Sequence, residues 1–302
     1  MAESVAERRM RDLAAEPLQA VGPRPGLFRG TVASVRDIWA HRELTALLVK
    51  REVRARYKNS SLGFVWSMLK PIAQLIVYYF VIGGLMKMGT NVPDFGIYIF
   101  TGLTVWTFFN EVVAGGTGSV VANSGLVKKV YLPREVFPLS TVGAALVNFA
   151  IQLSILLVAT VLAGAFPLWG NILYLPMGFL VIIVFGTALA LLLSAVNVYM
   201  RDMQHLVEIA TMLLFWASPI IYPFKFVAER FGSGWVHELY LANPITLAVL
   251  AFQRGAWVAG ADQPFPAHLG VRLVIAALGS LVLLWLAQRI FARVEGNFAQ
   301  EL

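Results

Sequence analysis

Trp66, Lys70, Gln74 and Tyr78 recur at every fourth residue inside an apolar run, so one helical face carries all four. Thr211, Phe215, Ser218 and Tyr222 share a face of a second run, and Glu111 is a lone acid in a third. Aromatic planes beside hydrogen-bonding groups suit sugars, whose faces are apolar and whose rims are hydroxyls. Helix packing with polar side chains as interhelical glue gives the same pattern, and both readings stand at this point. An ionised group in mid-hydrocarbon costs at least ~2.5 kcal/mol, so Lys70 and Glu111 need partners. At 1.5 Å per residue Lys70 lies ~12 Å into its run, and Glu111 ~24 Å into a run of opposite direction. Within a ~30 Å core the two reach similar depth and could pair. The competing reading lets Lys70 snorkel to the headgroups.

No catalytic set accompanies them. His41, His205, His237 and His268 are far apart, and the chain has no cysteine, which excludes thiolate metal sites and cysteine nucleophiles. The phosphate-loop pattern is absent; its nearest look-alike, "GLVKK", lacks the second glycine and the hydroxyl. Any nucleotide chemistry is therefore expected on another chain, and no cofactor or metal is expected on this one. Glu135, Asp202 and Glu208 are too sparse for the clustered acids of a membrane glycosyltransferase.

The elements that hold these residues are apolar helices. Of 302 residues, 58% are hydrophobic and 14% charged, where a soluble domain carries about one quarter charged. Several runs exceed the ~18 residues that mark a transmembrane helix. The expectation is an all-α membrane protein with six spans, near residues 62–86, 95–118, 136–166, 171–198, 206–222 and 268–291. Residues 1–30 contain Pro17, Pro23 and Pro25 and read as a flexible tail, 31–61 as an interfacial helix region, and 292–302 as a short polar tail. The first 30 residues have no apolar core of a signal peptide, so the first span is expected to act as the signal. Residues 223–267 contain "ANPITLAVLAFQRGAWVAG", expected either to dip into the membrane and return or to lie as an interfacial helix anchored by Trp257.

The net charge of +7 is a matter of topology rather than nucleic-acid binding. Twelve of the 24 Lys and Arg residues precede Ser61. With the N-terminus inside, Lys128, Lys129, Arg134, Arg201, Arg289 and Arg293 also fall inside, against Lys87, Lys225, Arg230 and Arg254 outside. Both termini are then cytoplasmic.

Two basic segments stand out. In the helix before the first span Ala46, Val49, Val53 and Tyr57 form one stripe. Lys50, Arg51, Arg54 and Lys58 form another, with Arg56 in the same run, and Leu44 and Leu48 lie on a third. Such a helix fits between lipid interface, its own bundle and a partner. The second segment is "NSGLVKKVYLPREVFP", residues 123–138. Asn123 or Ser124 can cap a short helix, Gly125 loosens its start and Pro133 stops it. That helix would display Leu126, Val127, Lys128 and Tyr131 as a docking element; a plain positive-inside loop is the alternative.

Taken together, "RARYKNSSLGFVWSMLKP", "NSGLVKKVYLPREVFP", "NVYMRDMQHLVEIATMLLFWASPIIYP", "LANPIT" and the closing "GNFAQEL" resemble the permease subunit of type-2 ABC exporters for polysaccharides and lipid-linked glycans, the O-antigen and teichoic acid family. The resemblance covers residues 35–302. It implies a homodimer working with two copies of a separate ATPase, which would bind the ATP and magnesium. It implies that the loop at residues 123–131 is the coupling helix, and that the helix at 44–58 lies at the membrane–ATPase boundary. The first and fifth spans would flank the channel. The cargo would be a polyprenyl-phosphate- or diphosphate-linked glycan. The basic run at 51–58 would meet either its headgroup or anionic bilayer lipid. Richness in Ala, Val, Gly and Arg points to a GC-rich bacterium, where cell-wall galactan is the analogous cargo. An exporter of small amphiphiles and an ion-driven transporter are the alternatives; the latter would want charged relays deep in several spans.

Overall fold

The computed structural model describes residues 27–57, 65–85, 87, 92–130, 132–164, 169–232 and 234–302. Every regular element among them is a helix. Helices α1 (Leu27–Ala40) and α2 (Arg42–Tyr57) precede α3 (Val65–Tyr78), which runs on into a π-helical segment, Tyr79–Leu85. Then come α4 (Phe95–Ala122), the single turn α5 (Ser124–Val127), α6 (Val136–Leu162), α7 (Trp169–Ile172), α8 (Tyr174–Tyr199) and α9 (Met203–Trp216). The chain closes with α10 (Phe224–Phe231), α11 (Trp235–Leu241), α12 (Pro244–Ala256), α13 (Leu269–Val294) and α14 (Phe298–Glu301).

Among the described residues four helices, α4, α6, α8 and α13, are long and apolar enough to cross a membrane. They are the second, third, fourth and sixth expected spans. A fifth crossing appears if α11 and α12, bent by 75° at their junction, count as one. The six-span reading is therefore met only in part, because the first and fifth runs are interrupted. Pro71 lies inside α3 and has no N–H for the helical ladder. Pro219 disfavours helix at Ser218, and α9 stops at Trp216 after 14 residues. That is ~21 Å of helix, short of a ~30 Å core. Other bounds shift too. Among the described residues helix already covers 27–30, the stretch to Tyr57 is two helices broken at His41, and the chain is helical again at α14.

Helix α4 is the axle. Two thirds of its most apolar window is buried (67%), against 22% for α13. It packs against α6, α8, α9 and α12, while α13 leans on α8 from outside. Small residues let the backbones touch. A Cβ on Gly116 of α4 would sit 2.5 Å from the Ala190 Cβ of α8. Aromatic rings fill the wider gaps: Phe149 stacks on Phe179 at 4.8 Å and meets Phe108 at 5.1 Å.

At one end of the bundle, residues 223–267 are built around α12. Asn243 accepts a hydrogen bond from the Ile245 N–H at 3.0 Å and Pro244 follows it at the first helical position. Eleven residues of α12 are buried in protein. Trp257 is 3% exposed and donates its indole N–H to the Pro93 carbonyl at 2.7 Å. It is thus a core anchor, which removes the reading of an interfacial helix held in the headgroups by Trp257. The sharply bent pair is either a broken span or a segment that enters and turns back, the latter being the form expected from the sequence.

Candidate functional site

The segments expected to share the cytoplasmic side meet at the other end of the bundle. Leu48 of α2, Val127 of α5, Leu132, Val136, Phe137, Val198 of α8, and Phe291 and Phe298 at the C-terminus form one buried cluster. Around it lie Lys50, Arg51, Arg54, Lys128 and Lys129, all exposed. We refer to this as the basic end.

The loop after α4 forms a single helical turn, not the longer amphipathic helix expected. Asn123 does not cap it. Its Nδ2 donates back to the Ser119 carbonyl at 2.8 Å, closing α4, while its Oδ1 accepts from Arg51 Nη2 at 2.5 Å. Asn123 thereby ties the interfacial helix to the start of the loop. Ser124 opens the turn, and Gly125 is exposed with open space around its Cα. Leu126 is exposed as expected, with Val130 beside it, at 37% and 50%. Val127 is not displayed: it is 4% exposed and belongs to the buried cluster. The loop thus holds on with Val127 and Leu132 and presents Leu126, Lys128, Lys129 and Val130. Tyr131 and Lys58 lie outside the described residues, as do the side chains of Arg56 and Tyr57.

Helix α2 packs along the start of α6. Glu52 accepts a hydrogen bond from Ser140 Oγ at 2.6 Å, and Val49 fits the surface left open by Gly143. Its buried side joins Leu48 to Val49 and Val53, combining two of the three expected strips, and Ala46 is exposed. Of the basic strip, Lys50, Arg51 and Arg54 are exposed.

Of the residues expected along a channel, those described are spread over α3, α4 and the α9 region. Gln74 and Tyr78 do share a face, with Gln74 Nε2 donating to the Tyr78 hydroxyl at 3.3 Å. The side chains of Trp66 and Lys70 lie outside the described residues. Glu111 accepts from Asn148 Nδ2 of α6 at 3.0 and 3.2 Å. Because α4 continues to Ala122, Glu111 sits ~16 Å from its basic end, deeper than expected. The second stripe is not a stripe. Thr211 and Ser218 are buried and bond the carbonyls of Glu208 and Leu214, and Phe215 meets Trp106 of α4 edge-on at 5.3 Å. Tyr222 lies beyond the end of α9 and donates to the Trp216 carbonyl. The outward face of α9 is instead apolar: Leu206, Ile209, Met212, Leu213 and Trp216.

With this geometry in hand, similarity to known proteins is informative. The description "ABC-2 type transporter" matches residues 43–256. The chain belongs to the ABC-2 type transporter family. An O-antigen export system permease protein RfbA of Myxococcus xanthus is 32% identical over 268 residues, covering 89% of this chain and 98% of that protein. A Klebsiella pneumoniae protein of the same name is 26% identical over 211 residues, 70% of this chain and 79% of its own. The polysialic acid transport protein KpsM of Escherichia coli is 24% identical over 253 residues, 82% and 92%.

In this ABC-2 family member, sequence reasoning overlooked the residues that complete the basic end. Glu135 is 2% exposed at the start of α6 and accepts from Gln288 Nε2 of α13 at 3.5 Å. Burial raises its pKa above the ordinary carboxylate range, and Asp37 of α1 pushes in the same direction. Phe298, fully buried, stood in the quoted motif "GNFAQEL", where one aromatic among small and polar residues was the available signal.

Proposed function

We propose that this chain is the membrane-spanning permease subunit of an ATP-driven exporter of polysaccharide. In this reading ATP is hydrolysed on a separate subunit, and the permease itself has no enzymatic step. Near-complete coverage of an O-antigen export permease supports the assignment. The observation that carries it is the loop at 123–130. Its buried side joins a cluster with residues of α2, α4, α6, α8, α13 and α14, and its free side offers two apolar and two cationic side chains. A topological loop needs no such two-sided construction, whereas a lever that passes motion between an ATPase and the spans does.

On this reading the basic end faces the cytoplasm, in keeping with the placement of lysine and arginine. The protein resides in the cytoplasmic membrane. The cargo we propose is a glycan linked to polyprenyl phosphate or diphosphate, with cell-wall galactan the first to test. Arg51 and Arg54, exposed on α2, would meet its headgroup. Two copies would face each other through α3 and α9, whose outward sides carry Ile72, Ile76, Val77 and Phe80 on one and Ile209, Met212 and Leu213 on the other.

The test is purification of the permease with the ATPase encoded beside it, followed by hydrolysis assays in nanodiscs with and without lipid-linked galactan. A stable complex whose hydrolysis responds to the glycan is expected. Failure to form a complex with any ATPase would defeat the exporter reading.

A further inference from the structure

We propose that the C-terminal segment, residues 295–302, is a clamp that positions the coupling loop, with Phe298 as its wedge. This rests on the coupling reading above. The segment is short and ends in the single turn α14, yet Phe298 is fully buried. Its ring meets Phe291 of α13 edge-on at 5.3 Å and Tyr199 of α8 at 6.1 Å. Tyr199 in turn donates its hydroxyl to the Val294 carbonyl at 3.1 Å, fixing the point where the segment leaves α13.

From this anchor the segment reaches the loop by three separate contacts. Helix α14 packs directly on the turn α5, and Phe298 shares a buried cluster with Val127 and Leu132. The Arg134 guanidinium lies over the Phe298 ring, 5.8 Å from its centre. The Glu295 carboxyl lies beside the Arg134 backbone and the Glu135 carboxyl, and each influences its protonation. The loop is thereby pinned on both flanks: by Arg51 of α2 through Asn123 at its start, and by the C-terminal segment at its end. A one-turn helix has too few internal hydrogen bonds to hold its own shape. Its orientation must come from what it packs against. The C-terminal segment supplies part of that packing, and its own chain continues without a break into the spanning helix α13. A push on Leu126 would then reach α13 as well as α4 and α6.

The experiment uses the full permease–ATPase complex in nanodiscs. Four forms are compared: the parent, Phe298→Ala, a chain ending at Asn297, and Leu126→Asp as the docking control. Hydrogen exchange reports residues 123–135 and the spans separately, and ATP hydrolysis is measured against the isolated ATPase. Phe298→Ala and the shortened chain should speed exchange across 123–135 by on the order of tenfold or more, with α4, α6 and α8 unchanged. Stimulation of hydrolysis by the permease should fall in parallel, and Phe298→Leu, which restores an apolar plug, should recover part of both. Unchanged exchange in the loop overturns the clamp, and so does faster exchange spread through all the spans, which would make the segment a general stabiliser. If Leu126→Asp leaves hydrolysis untouched, the coupling assignment falls, while loop exchange still decides whether the segment holds the loop.

Discussion

The two ends of the bundle are built on opposite plans. At the far end, side chains reach across to backbone carbonyls of a non-helical turn. Tyr98 donates its hydroxyl to the carbonyls of Pro219 and Tyr222, at 3.0 and 2.6 Å, and Gln253 donates to Pro219 at 2.7 Å. Those donors come from α4 and α12, both deeply buried, so the turn after α9 has little freedom. At the basic end the loop after α4 is held by an apolar wedge, a cation over a ring and a pair of carboxyls, and half of it faces solvent. Backbone carbonyls without partners in a membrane interior are costly, which makes the far end a fixed frame. The basic end leaves Leu126, Lys128, Lys129 and Val130 of its loop exposed, where rearrangement is cheap.

The largest effect should come from breaking the frame. Trp257→Ala removes a buried indole and its bond to the Pro93 carbonyl, an expected loss of about 3–5 kcal/mol. Thermal unfolding in detergent should show a markedly lower midpoint. A midpoint near the parent's would mean that the far end is not the rigid part. Next in size is a contrast inside the loop. Val127→Asp forces a carboxylate into the buried cluster and should destabilise the protein by several kcal/mol, on the order of 3. Leu126→Asp, one residue earlier, should leave the midpoint within about 0.5 kcal/mol while weakening ATPase docking. Equal stability effects from the two would contradict the assignment of one to the core and the other to the surface.

That contrast also marks what a single sequence can reveal. The basic and apolar segments and the four long spans were legible because hydropathy and charge are written residue by residue. Which side of the loop is buried was not, since α5 is too short for periodicity to define a face. The polar stripe at Thr211, Phe215, Ser218 and Tyr222 failed for a related reason. It assumed one continuous helix, and Pro219 ends the helix before the last two residues. Pro219 was visible, and its consequence was the available signal. The contacts of Tyr98 with Pro219 and of Phe298 with Val127 join residues more than a hundred positions apart, and no local pattern encodes them.

A moderate effect tests the frame's hydrogen bonds alone. Tyr98→Phe keeps the ring against Trp257, centroid distance 4.9 Å, and removes only the hydroxyl. The Tyr222 carbonyl then loses its partner and Pro219 keeps Gln253, so about 1–3 kcal/mol is expected. Thermal midpoints of Tyr98→Phe and Trp257→Ala measured side by side would rank hydrogen bonding against packing at this end. A larger loss from Tyr98→Phe would reverse the ranking proposed here.

The smallest effect expected belongs to the basic end and depends on pH. Burial holds the Glu135 pKa above its ordinary value, with Glu295 and Asp37 facing it as further acids and Gln288 donating to it. The Glu295 pKa is raised by burial in its turn, and Arg134 works against that second rise. A carboxyl with a raised folded-state pKa binds its proton more tightly folded than unfolded. Its contribution to stability is full below the ordinary carboxylate pKa and declines as pH climbs from there through the raised value. Glu135→Gln keeps a neutral hydrogen-bonding group at that position and cannot lose a proton. Raising the pH from about 5 to about 8 should therefore lower the unfolding midpoint of the parent more than that of Glu135→Gln. The far end, held by neutral donors on carbonyls, should add nothing to that slope, so Tyr98→Phe should run parallel to the parent. If Glu135→Gln runs parallel as well, the carboxyl pair is not a titrating link, and the clamp would rest on Phe298 alone.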